Sequence, residues 1–398
     1  MSSSDSGKPG APLEVMHLML NLGAGGMEHG VLNICHGLPQ DNFRSTICVL
    51  ESGGDFECRL DRERVRLVHV ERGRRHDPTL PLRLAREIRH HRIDILHTHN
   101  WGTLAEGWLA GKLSRVPVHI HGEHGLIYDK RRQIVAQRLM WRGVAEVTAV
   151  SEALADRLAN RIGFRRERIR AIPNGVDSHR FSPTARPNVA LQRKLGIPAD
   201  SFVIGMIGRL SRAKNHAGLL KAVSKLCVAG APIQVVIAGV GSLRDELGSL
   251  ACEMGIDDRV KFIGYFDDVP SLLAALDVMV FNSTSEEGMP NVVLEAMASG
   301  LPVVAADEAA ASELMADGAG IIIPPGDWQA LANALEELLD CPKLRDSLAK
   351  TARLRVEQKY SLATMIEAYG ARYLELASAN GFRNGREFKG IVGQVCKS

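Results

Sequence analysis

Short apolar runs alternate with helix-like segments along almost the whole chain of 398 residues. The clearest runs are LEVMHLML (13–20), IDILHTH (93–99), FVIGMIG (202–208) and IQVVIAG (233–239). They are nearly continuous in apolar residues, which is typical of strands that helices cover on both faces. Alternation of this kind predicts an α/β protein built on parallel sheets.

The length of the chain indicates two domains, because a single hydrophobic core of this size is uncommon. The periodic pattern weakens between residues 175 and 200, which include three prolines, and this segment is the predicted linker. We therefore expect two Rossmann-like domains, at 13–185 and 186–360, that face each other across a cleft. Ligands of such sheets bind outside the carboxyl ends of the strands.

Composition and charge narrow the class of protein. The sequence contains no apolar run of the ~20 residues that a membrane span needs, and residues 1–12 read as a disordered lead-in without the apolar region of a signal peptide. Seven scattered cysteines without a C-x-x-C pair are typical of reduced thiols in a cytoplasmic protein.

Through residue 185 there are 27 Lys and Arg against 21 Asp and Glu. This excess indicates either solvated helix faces or attraction to an acidic substrate or membrane surface.

The stretch 285–305, SEEGMPNVVLEAMASGLPVVA, is the most informative part of the sequence. An apolar strand at 277–281 precedes it, Pro290 suits the first turn of a helix, and Gly300 ends that helix. A helix N-terminus at the end of a strand favours phosphates and sugar hydroxyls. Glu295 lies among apolar neighbours, so its carboxylate needs a partner, which is either a ribose or a nearby arginine or backbone group.

Two other loops carry groups that suit a diphosphate. Arg209 and Lys214 follow the first strand of the second half, in GRLSRAKN (208–215), where a fork-shaped donor and a point charge together fit a diphosphate. The glycine-rich turns at 23–26 and 239–241 are incomplete as dinucleotide fingerprints. We interpret both as tight turns whose backbone approaches a phosphate or sugar closely.

Five histidines lie at the ends of two predicted strands of the first half. They are His97, His99, His119, His121 and His124. Members of each strand pair face the same way, because side chains alternate along a strand. We expect one or two of these histidines to line the cleft and the others to be packing or surface residues. A metal site is less favoured, since no neighbouring carboxylate or cysteine completes a ligand set. No D-x-D sequence occurs either, which removes the usual magnesium-binding pair of a metal-dependent sugar transferase.

Taken together, these motifs resemble the retaining glycosyltransferases of the GT-B fold, family four, along nearly the whole chain. The most specific element is E-x7-E, from Glu287 to Glu295, and the likeness to members that act in exopolysaccharide assembly rests on HGEHG (121–125) alone. Further motifs in the expected order are GGME (25–28), IPNGVD (172–177), GRLSRAKN (208–215), the G-x-G turn (239–241) and GYFDDVP (264–270). The resemblance also implies that a helix at 361–380 crosses back onto the first domain.

The resemblance implies a role for each matching residue. Arg209 and Lys214 would hold the donor diphosphate, Glu295 the ribose hydroxyls, and Glu287 the donor sugar. The other donor-side positions are the amides of Gly288 and Met289, the turn residues Gly208 and Gly239, Tyr265 beside the base, Gly25 and Gly26 near the phosphate or acceptor, and His124 near the donor sugar, with His121 as the second choice. The sequence AAAS (309–312) departs from the family's glycine pair, which leaves the contact of Glu313 open.

The implied reaction moves a sugar from a nucleoside diphosphate sugar, UDP-linked in our prediction, to a glycan or lipid-linked acceptor with retention at the anomeric carbon. No metal ion is expected, because Arg209 and Lys214 would stabilise the leaving diphosphate. We expect no other cofactor and no nucleic acid. A sugar-nucleotide epimerase of the same fold and a non-catalytic sugar-nucleotide-binding subunit are the alternatives. We also expect a cytoplasmic protein that contacts an anionic membrane peripherally.

Overall fold

We describe the fold from a computed structural model of the full chain. The structure describes residues 11–23, 25–73, 77–125, 130–183, 188–228, 230–284, 288–308 and 310–381. Glu287 and Ala309 therefore lie outside the described residues, as do the lead-in up to residue 10 and the tail from residue 382.

The chain forms two compact units. The first comprises the residues up to Gly175 together with those from Leu362 onwards, and the second is Val176–Ser361. Each unit has its own parallel sheet and its own hydrophobic core. The predicted α/β class is therefore confirmed for both halves of the chain.

The first unit is a seven-stranded parallel sheet in the order β3-β2-β1-β4-β5-β6-β7. Its elements are β1 (Leu13–Met19), α1 (Gly26–Gly37), β2 (Phe43–Val49), β3 (Val65–His69), α2 (Leu80–His90), β4 (Ile95–His99), α3 (Trp101–Ser114), β5 (Val118–Glu123), α4 (Arg131–Arg142), β6 (Glu146–Ala149), α5 (Glu152–Ile162) and β7 (Ile169–Ala171).

The second unit is a six-stranded parallel sheet in the order β10-β9-β8-β11-β12-β13. Its elements are α6 (Val189–Lys194), β8 (Phe202–Ile207), α7 (His216–Val228), β9 (Ile233–Ala238), α8 (Arg244–Glu253), β10 (Val260–Gly264), α9 (Val269–Leu273), β11 (Val278–Phe281), α10 (Asn291–Ala298), β12 (Val303–Ala306), α11 (Ala311–Leu314), β13 (Ile321–Ile323), α12 (Trp328–Asp340) and α13 (Pro342–Lys359).

Both sheets have a doubly wound strand order that reverses at one point. The reversal lies between β1 and β4 in the first unit and between β8 and β11 in the second. The connections that leave the two strands at this point run in opposite directions and cover opposite faces, which leaves a crevice at the carboxyl ends of these strands. The strand order thus defines one place in each sheet where a ligand site is most expected.

The last helix, α14 (Leu362–Ala379), belongs to the first unit although it follows the second in sequence. Its buried face includes Met365, Ile366 and Tyr373, which pack in one cluster with Leu13 and Phe43 of the first sheet. Arg372 donates two hydrogen bonds to Glu146 of β6, one of them at 2.7 Å. The C-terminal helix is therefore an integral part of the core of the first unit.

The predicted linker and the predicted absence of a membrane span can be compared with the helices of the structure. The segment 175–200, expected to be a linker, contains helix α6 (Val189–Lys194). Asn188 caps this helix, because its side chain accepts a hydrogen bond from the amide of Leu191 at 3.1 Å. Within the described ranges, no helix has both the length and the apolarity that a bilayer crossing requires.

Candidate active site

Two cationic residues lie on the loop that follows β8, beside the reversal point of the second sheet. Arg209 is exposed, and Lys214 is half-buried with its ammonium group 4.9 Å from the centre of the Phe281 ring. The loop is attached to the end of β11, because the amide of Thr284 donates to the carbonyl of Ala213 at 2.8 Å. The end of β11 therefore holds this loop, and Arg209 and Lys214 with it, near the crevice of the second sheet.

The glycines of this edge are required by the close approach of two turns. Gly239 has φ of +145°, and a Cβ built on it would lie 1.9 Å from the carbonyl oxygen of Gly208. Gly208 itself has φ of +155° and lies against the side chain of Lys214. The tight-turn interpretation is thus correct for Gly239, but the group that its backbone approaches is the neighbouring turn.

Glu295 lies on α10, the helix that follows β11 at the same reversal point. Val293, Leu294, Ala296 and Met297 around it are buried, while Glu295 itself is half-buried. Burial raises the pKa of its carboxyl group to about 7, and the charge of Arg180 opposes that rise. Among the described residues, none donates a hydrogen bond to this carboxylate, so the arginine or backbone partner expected of a structural glutamate is not present as a direct contact.

The other residues predicted to lie on the donor side differ in how deeply they are buried. Gly288 and Met289 are buried and precede α10. Tyr265 follows β10, is 61% exposed and donates a hydrogen bond to Asp267 at 3.3 Å. The carbonyl of Glu313, on α11, accepts a hydrogen bond from Arg355 at 2.8 Å. Glu287 cannot be placed because it lies outside the described residues.

In the first unit, the two histidine pairs lie on opposite faces of the sheet. His97 is paired in register with Ile120, and Thr98 with His121, so His97 and His99 share one face while His119 and His121 share the other. Each pair faces one way, as predicted, but the five histidines do not form one group. The sequence could not show this, because it depends on the register between β4 and β5.

On the first face, His97 and His99 are joined by His17 from β1. The ring nitrogens of His17 and His99 are 3.0 Å apart, and His97 contacts the hydroxyl of Tyr373 at 2.8 Å. One nitrogen of each of the three rings lies within 4.8 Å of the others. Burial lowers the pKa of His17 to about 3 and those of His97 and His99 well below the usual value, so all three rings are neutral at pH 7.

On the opposite face, the structure corrects the statement that no carboxylate adjoins the histidines. Glu123 is buried, and its Oε1 lies 2.9 Å from Nε2 of His121 and accepts a hydrogen bond from Gln137 at 2.5 Å. The other nitrogen of His121 contacts the hydroxyl of Thr98 at 2.8 Å. Because every one of these polar groups is buried, we interpret this network as a structural tie between β5 and α4.

His124 connects the first face to the carboxyl edge of the sheet. Its Nε2 lies 2.9 Å from Nδ1 of His99, and its amide donates to the side-chain oxygen of Asn100 at 2.9 Å. Asn100 has φ of +58° and ψ of 171°, a conformation that only glycine adopts easily, and strain of this type clusters at functional sites. Neither Asn100 nor His17, the third member of the group with His97 and His99, was identified from the sequence.

Gly25 and Gly26 begin helix α1 at the same edge. Gly25 caps the helix with an extended backbone, and a Cβ built on it would lie 2.1 Å from the carboxylate of Glu28. Met27, the next residue, accepts a contact from the side-chain amide of Asn100 at 3.1 Å. The start of α1, Asn100 and His124 are therefore neighbours at the reversal point of the first sheet.

Comparison with known proteins identifies the class to which this fold and this arrangement belong. The family model described as "Glycosyltransferase Family 4" matches residues 24–180, and the one described as "Glycosyl transferases group 1" matches residues 189–355. The two matches follow one another along the chain and cover most of both units. The chain belongs to glycosyltransferase family 4, as its motifs predicted.

Individual relatives are also glycosyltransferases. A D-inositol 3-phosphate glycosyltransferase of Stackebrandtia nassauensis is 32% identical over 70% of this chain and 68% of its own length. The UDP-Gal:alpha-D-GlcNAc-diphosphoundecaprenol alpha-1,3-galactosyltransferase of Escherichia coli is 27% identical over 73% and 77%. The lipopolysaccharide core biosynthesis glycosyltransferase LpsE of Rhizobium meliloti is 34% identical over 54% and 60%.

Solved structures share the fold across both units. A glycosyltransferase of Rickettsia africae superposes with a TM-score of 0.83 at 20% identity, covering 92% of this chain and 98% of that one. Anabaena Alr3699/HepE in complex with UDP gives 0.80 at 23% identity, covering 92% and 99%. The GT-B fold class predicted from the sequence is confirmed.

Proposed function

We propose that the protein transfers a hexose from a UDP-linked sugar to a glycan or lipid-linked acceptor with retention at the anomeric carbon. The observation that carries this proposal is the position of Arg209, Lys214 and Glu295 on the segments that follow β8 and β11, the two strands at the reversal point of the second sheet. Two cations suit a diphosphate, and a carboxylate without a hydrogen-bond donor among the described residues suits the two hydroxyls of a ribose. Gly208, Gly239, Gly288, Met289 and Tyr265 would complete the donor side of this site, together with Glu287.

The choice of donor rests on relatives. Crystal structures of Anabaena Alr3699/HepE are complexes with UDP and with UDP-glucose, and the name of the Escherichia coli relative gives UDP-Gal as its donor. Retention is supported by the family resemblance. In this proposal the acceptor attacks from the face that the diphosphate leaves, while Arg209 and Lys214 stabilise the departing charge.

The test is incubation of the full chain with a panel of labelled UDP- and GDP-sugars, with and without lipid-linked and soluble glycan acceptors. We expect transfer or slow hydrolysis of a UDP-hexose, with the anomeric configuration of the product read by proton NMR. An isomerised donor would favour the epimerase alternative. Binding without any turnover would favour the non-catalytic subunit, and an inverted product would contradict retention.

We further propose that the transfer step needs no metal ion. The cationic pair on the β8 loop supplies the charge that a divalent ion would otherwise bring to the leaving diphosphate. Turnover should therefore survive dialysis against EDTA, measured with the donor that the panel identifies. Activity that is lost on chelation and restored by a divalent ion would contradict this part of the proposal.

The acceptor side of the proposal concerns helix α4 of the first unit. This helix has no acidic residue, and it exposes Arg131, Arg132 and Arg142 together with Val135 (50% exposed) and Leu139 (56% exposed). Exposed cations beside exposed apolar side chains suit the headgroup region of an anionic membrane, where each cation contributes about 1 kcal/mol. The name of the Escherichia coli relative includes a diphosphoundecaprenol acceptor, which is consistent with work at such a surface.

Co-sedimentation with lipid vesicles tests this contact. Binding should rise with the fraction of anionic lipid and fall at high salt, and the pair Arg131→Glu and Arg132→Glu should weaken it. Arg165→Glu is the matched control, because its side chain is also exposed but lies between α5 and β7 of the same unit. Equal binding to neutral and anionic vesicles would contradict the membrane contact and favour a soluble acceptor. The cytoplasmic location expected from the sequence remains part of the proposal.

A further inference from the structure

A chain of three imidazoles crosses the reversal point of the first sheet. His17 of β1 and His99 of β4 lie on neighbouring strands, 3.0 Å apart between Nδ1 and Nε2. The other nitrogen of His99 is 2.9 Å from Nε2 of His124, at the carboxyl edge. His17 and His99 are fully buried, whereas His124 is half-buried. The chain therefore links a buried ring to the place where a ligand of this sheet is most expected.

The geometry of both contacts is that of hydrogen bonds. The ring centres of His17 and His99 are 5.3 Å apart with an interplanar angle of 7°, and those of His99 and His124 are 5.2 Å apart. In each case the separation of the centres exceeds the nitrogen–nitrogen distance by two ring radii. The two nitrogens thus lie on the line between the centres and point at each other. A metal ion would instead require lone pairs that converge on a point beside that line.

Two neighbours hold this chain in place. Asn100 accepts a hydrogen bond from the amide of His124 in spite of its strained backbone. A Cβ built on Gly122 would lie 3.2 Å from Nδ1 of His99 and 3.0 Å from Nε2 of His97, tighter than most real Cβ contacts. A glycine at 122 therefore leaves the space in which His99 reaches His124.

The buried end of the chain decides the direction of its protons. Nε2 of His17 has no hydrogen-bond partner among the described residues. If the hydrogen bonds ran from His124 inwards, this atom would carry an unpaired N–H in the core, and such orphan donors are rarer than orphan acceptors. If they run outwards, from His17 to His99 to His124, it keeps only a lone pair. The outward direction places the remaining proton on Nδ1 of His124.

We propose that His17 and His99 are positioning residues that fix His124 as a hydrogen-bond donor through Nδ1. This inference rests on the proposed function, in that a sugar substrate binds at the carboxyl edge of the first sheet. A neutral imidazole that presents an N–H donates to an oxygen of that substrate and cannot act as a general base at that atom. His124 therefore binds and orients an oxygen, and takes no proton from the acceptor.

The test reads the tautomers directly by long-range proton–nitrogen NMR of the full chain with labelled histidine, in the absence of substrate. We expect His124 as the Nδ1–H tautomer at pH 7.5, with its signal assigned from His124→Gln. The opposite tautomer at His124 would overturn the inference, whatever the activity. Stoichiometric zinc in the purified protein with metal-shifted His17 and His99 signals would overturn it as well.

Variants of His17 test the relay itself. His17→Leu removes the first donor, whereas His17→Asn keeps an N–H near the position of Nδ1. We expect the Leu variant to show a mixture of the two tautomers of His124. Its kcat should fall about 10- to 100-fold with little change in the donor KM, as for other outer partners of site histidines. The Asn variant should restore both the single tautomer and the kcat. His119→Gln, on the opposite face, should leave the tautomer of His124 unchanged.

The outcomes separate this inference from the proposed function. If no sugar nucleotide is turned over but His124 has the Nδ1–H tautomer and responds to His17→Leu, the proposed function fails and the relay stands. If transfer occurs and the tautomer does not respond in a folded Leu variant, only the relay fails. If the Leu variant does not fold, the tautomers of His124 in the wild type and in the Asn variant still show whether the relay exists.

Discussion

Glu295 carries a carboxyl group whose surroundings disfavour its charge. Burial raises the pKa of this carboxyl group from 4.5 to about 7, so the free protein holds about half a proton on it at pH 7. Ionisation of the buried carboxyl group therefore lowers the folding stability as the pH rises from 4.5 to about 7. Ribose hydroxyls donate hydrogen bonds and so favour the ionised form. We predict that UDP binding at pH 7 releases up to about half a proton, measured by calorimetry in buffers of unequal ionisation enthalpy.

The same residue allows a matched comparison. Glu295→Gln should abolish the proton release and weaken UDP binding by about 1.5–3 kcal/mol, the loss expected for a charged hydrogen-bond acceptor. Glu246→Gln, an exposed acid on α8, is the control and should change neither quantity. Unchanged binding in Glu295→Gln would mean that Glu295 serves the fold and not the donor.

At the scale of elements, the bidentate pair of Arg372 and Glu146 ties α14 to β6. Glu146 is buried, and Arg372 is half-buried. Removing one partner of a buried pair leaves an uncompensated charge, so Arg372→Met should lower the free energy of unfolding by about 3–5 kcal/mol. Urea unfolding followed by tryptophan fluorescence measures this, because three of the four tryptophans lie in the first unit.

Two further variants make this prediction specific. Arg170→Met is the control, since Arg170 lies 3.9 Å from the same carboxylate but is more than half exposed, and exposed pairs contribute about 0–1 kcal/mol. Adding Glu146→Leu to Arg372→Met should recover much of the loss, because the buried charge is then gone. Equal loss in the Arg170 and Arg372 variants would show that α14 is held by its apolar face alone.

Most long elements could be predicted from the sequence within a few residues, because their apolar runs and end signals agree. Gly163 ends α5 and the hydroxyl of Ser151 caps it, accepting from the amide of Leu154 at 3.1 Å. The helices that were missed, α6, α9 and α11, are four to six residues long, too short for periodicity to identify.

The candidate site was predictable only where it depends on local sequence. Arg209, Lys214 and Glu295 follow individual strands, so their common edge follows from the strand–helix order. The histidine chain depends on which strands are neighbours and in which register, and His17 becomes relevant only because β1 lies beside β4. The strained backbone of Asn100 is imposed by tertiary contacts, and no local pattern predicts it.

At the scale of the whole molecule, buried neutral histidines predict sensitivity to acid. Burial lowers the pKa values of His17 and His119 to about 3. His17 faces His97 and His99, and His119 faces Thr98 and His121. Burial also lowers that of His216, in the second unit, to about 4. In the unfolded chain these groups titrate near 6.5, so the folded state has its full stability above pH 6.5 and loses it as the pH falls towards 3.

The loss should be about 2 kcal/mol at pH 5 for each fully buried histidine with a folded pKa of about 3. Urea midpoints at pH 7.5 and pH 5.0 measure it. His119→Gln should flatten this dependence, whereas His69→Gln, on a half-exposed side chain, should not. A midpoint that is the same at both pH values would mean that water or a ligand reaches the histidine clusters.

The proposed function depends most on stabilisation of the leaving diphosphate by the β8 loop of the second unit. The most direct measurement is the turnover of the donor identified by the panel in Arg209→Ala, Lys214→Ala and the matched control Arg212→Ala. Arg212 lies on the same loop, and its side chain is 85% exposed. We predict that the first two variants lose about 10²–10³-fold in kcat while the third keeps wild-type turnover. Near-normal turnover in both Arg209→Ala and Lys214→Ala would contradict this role of the loop.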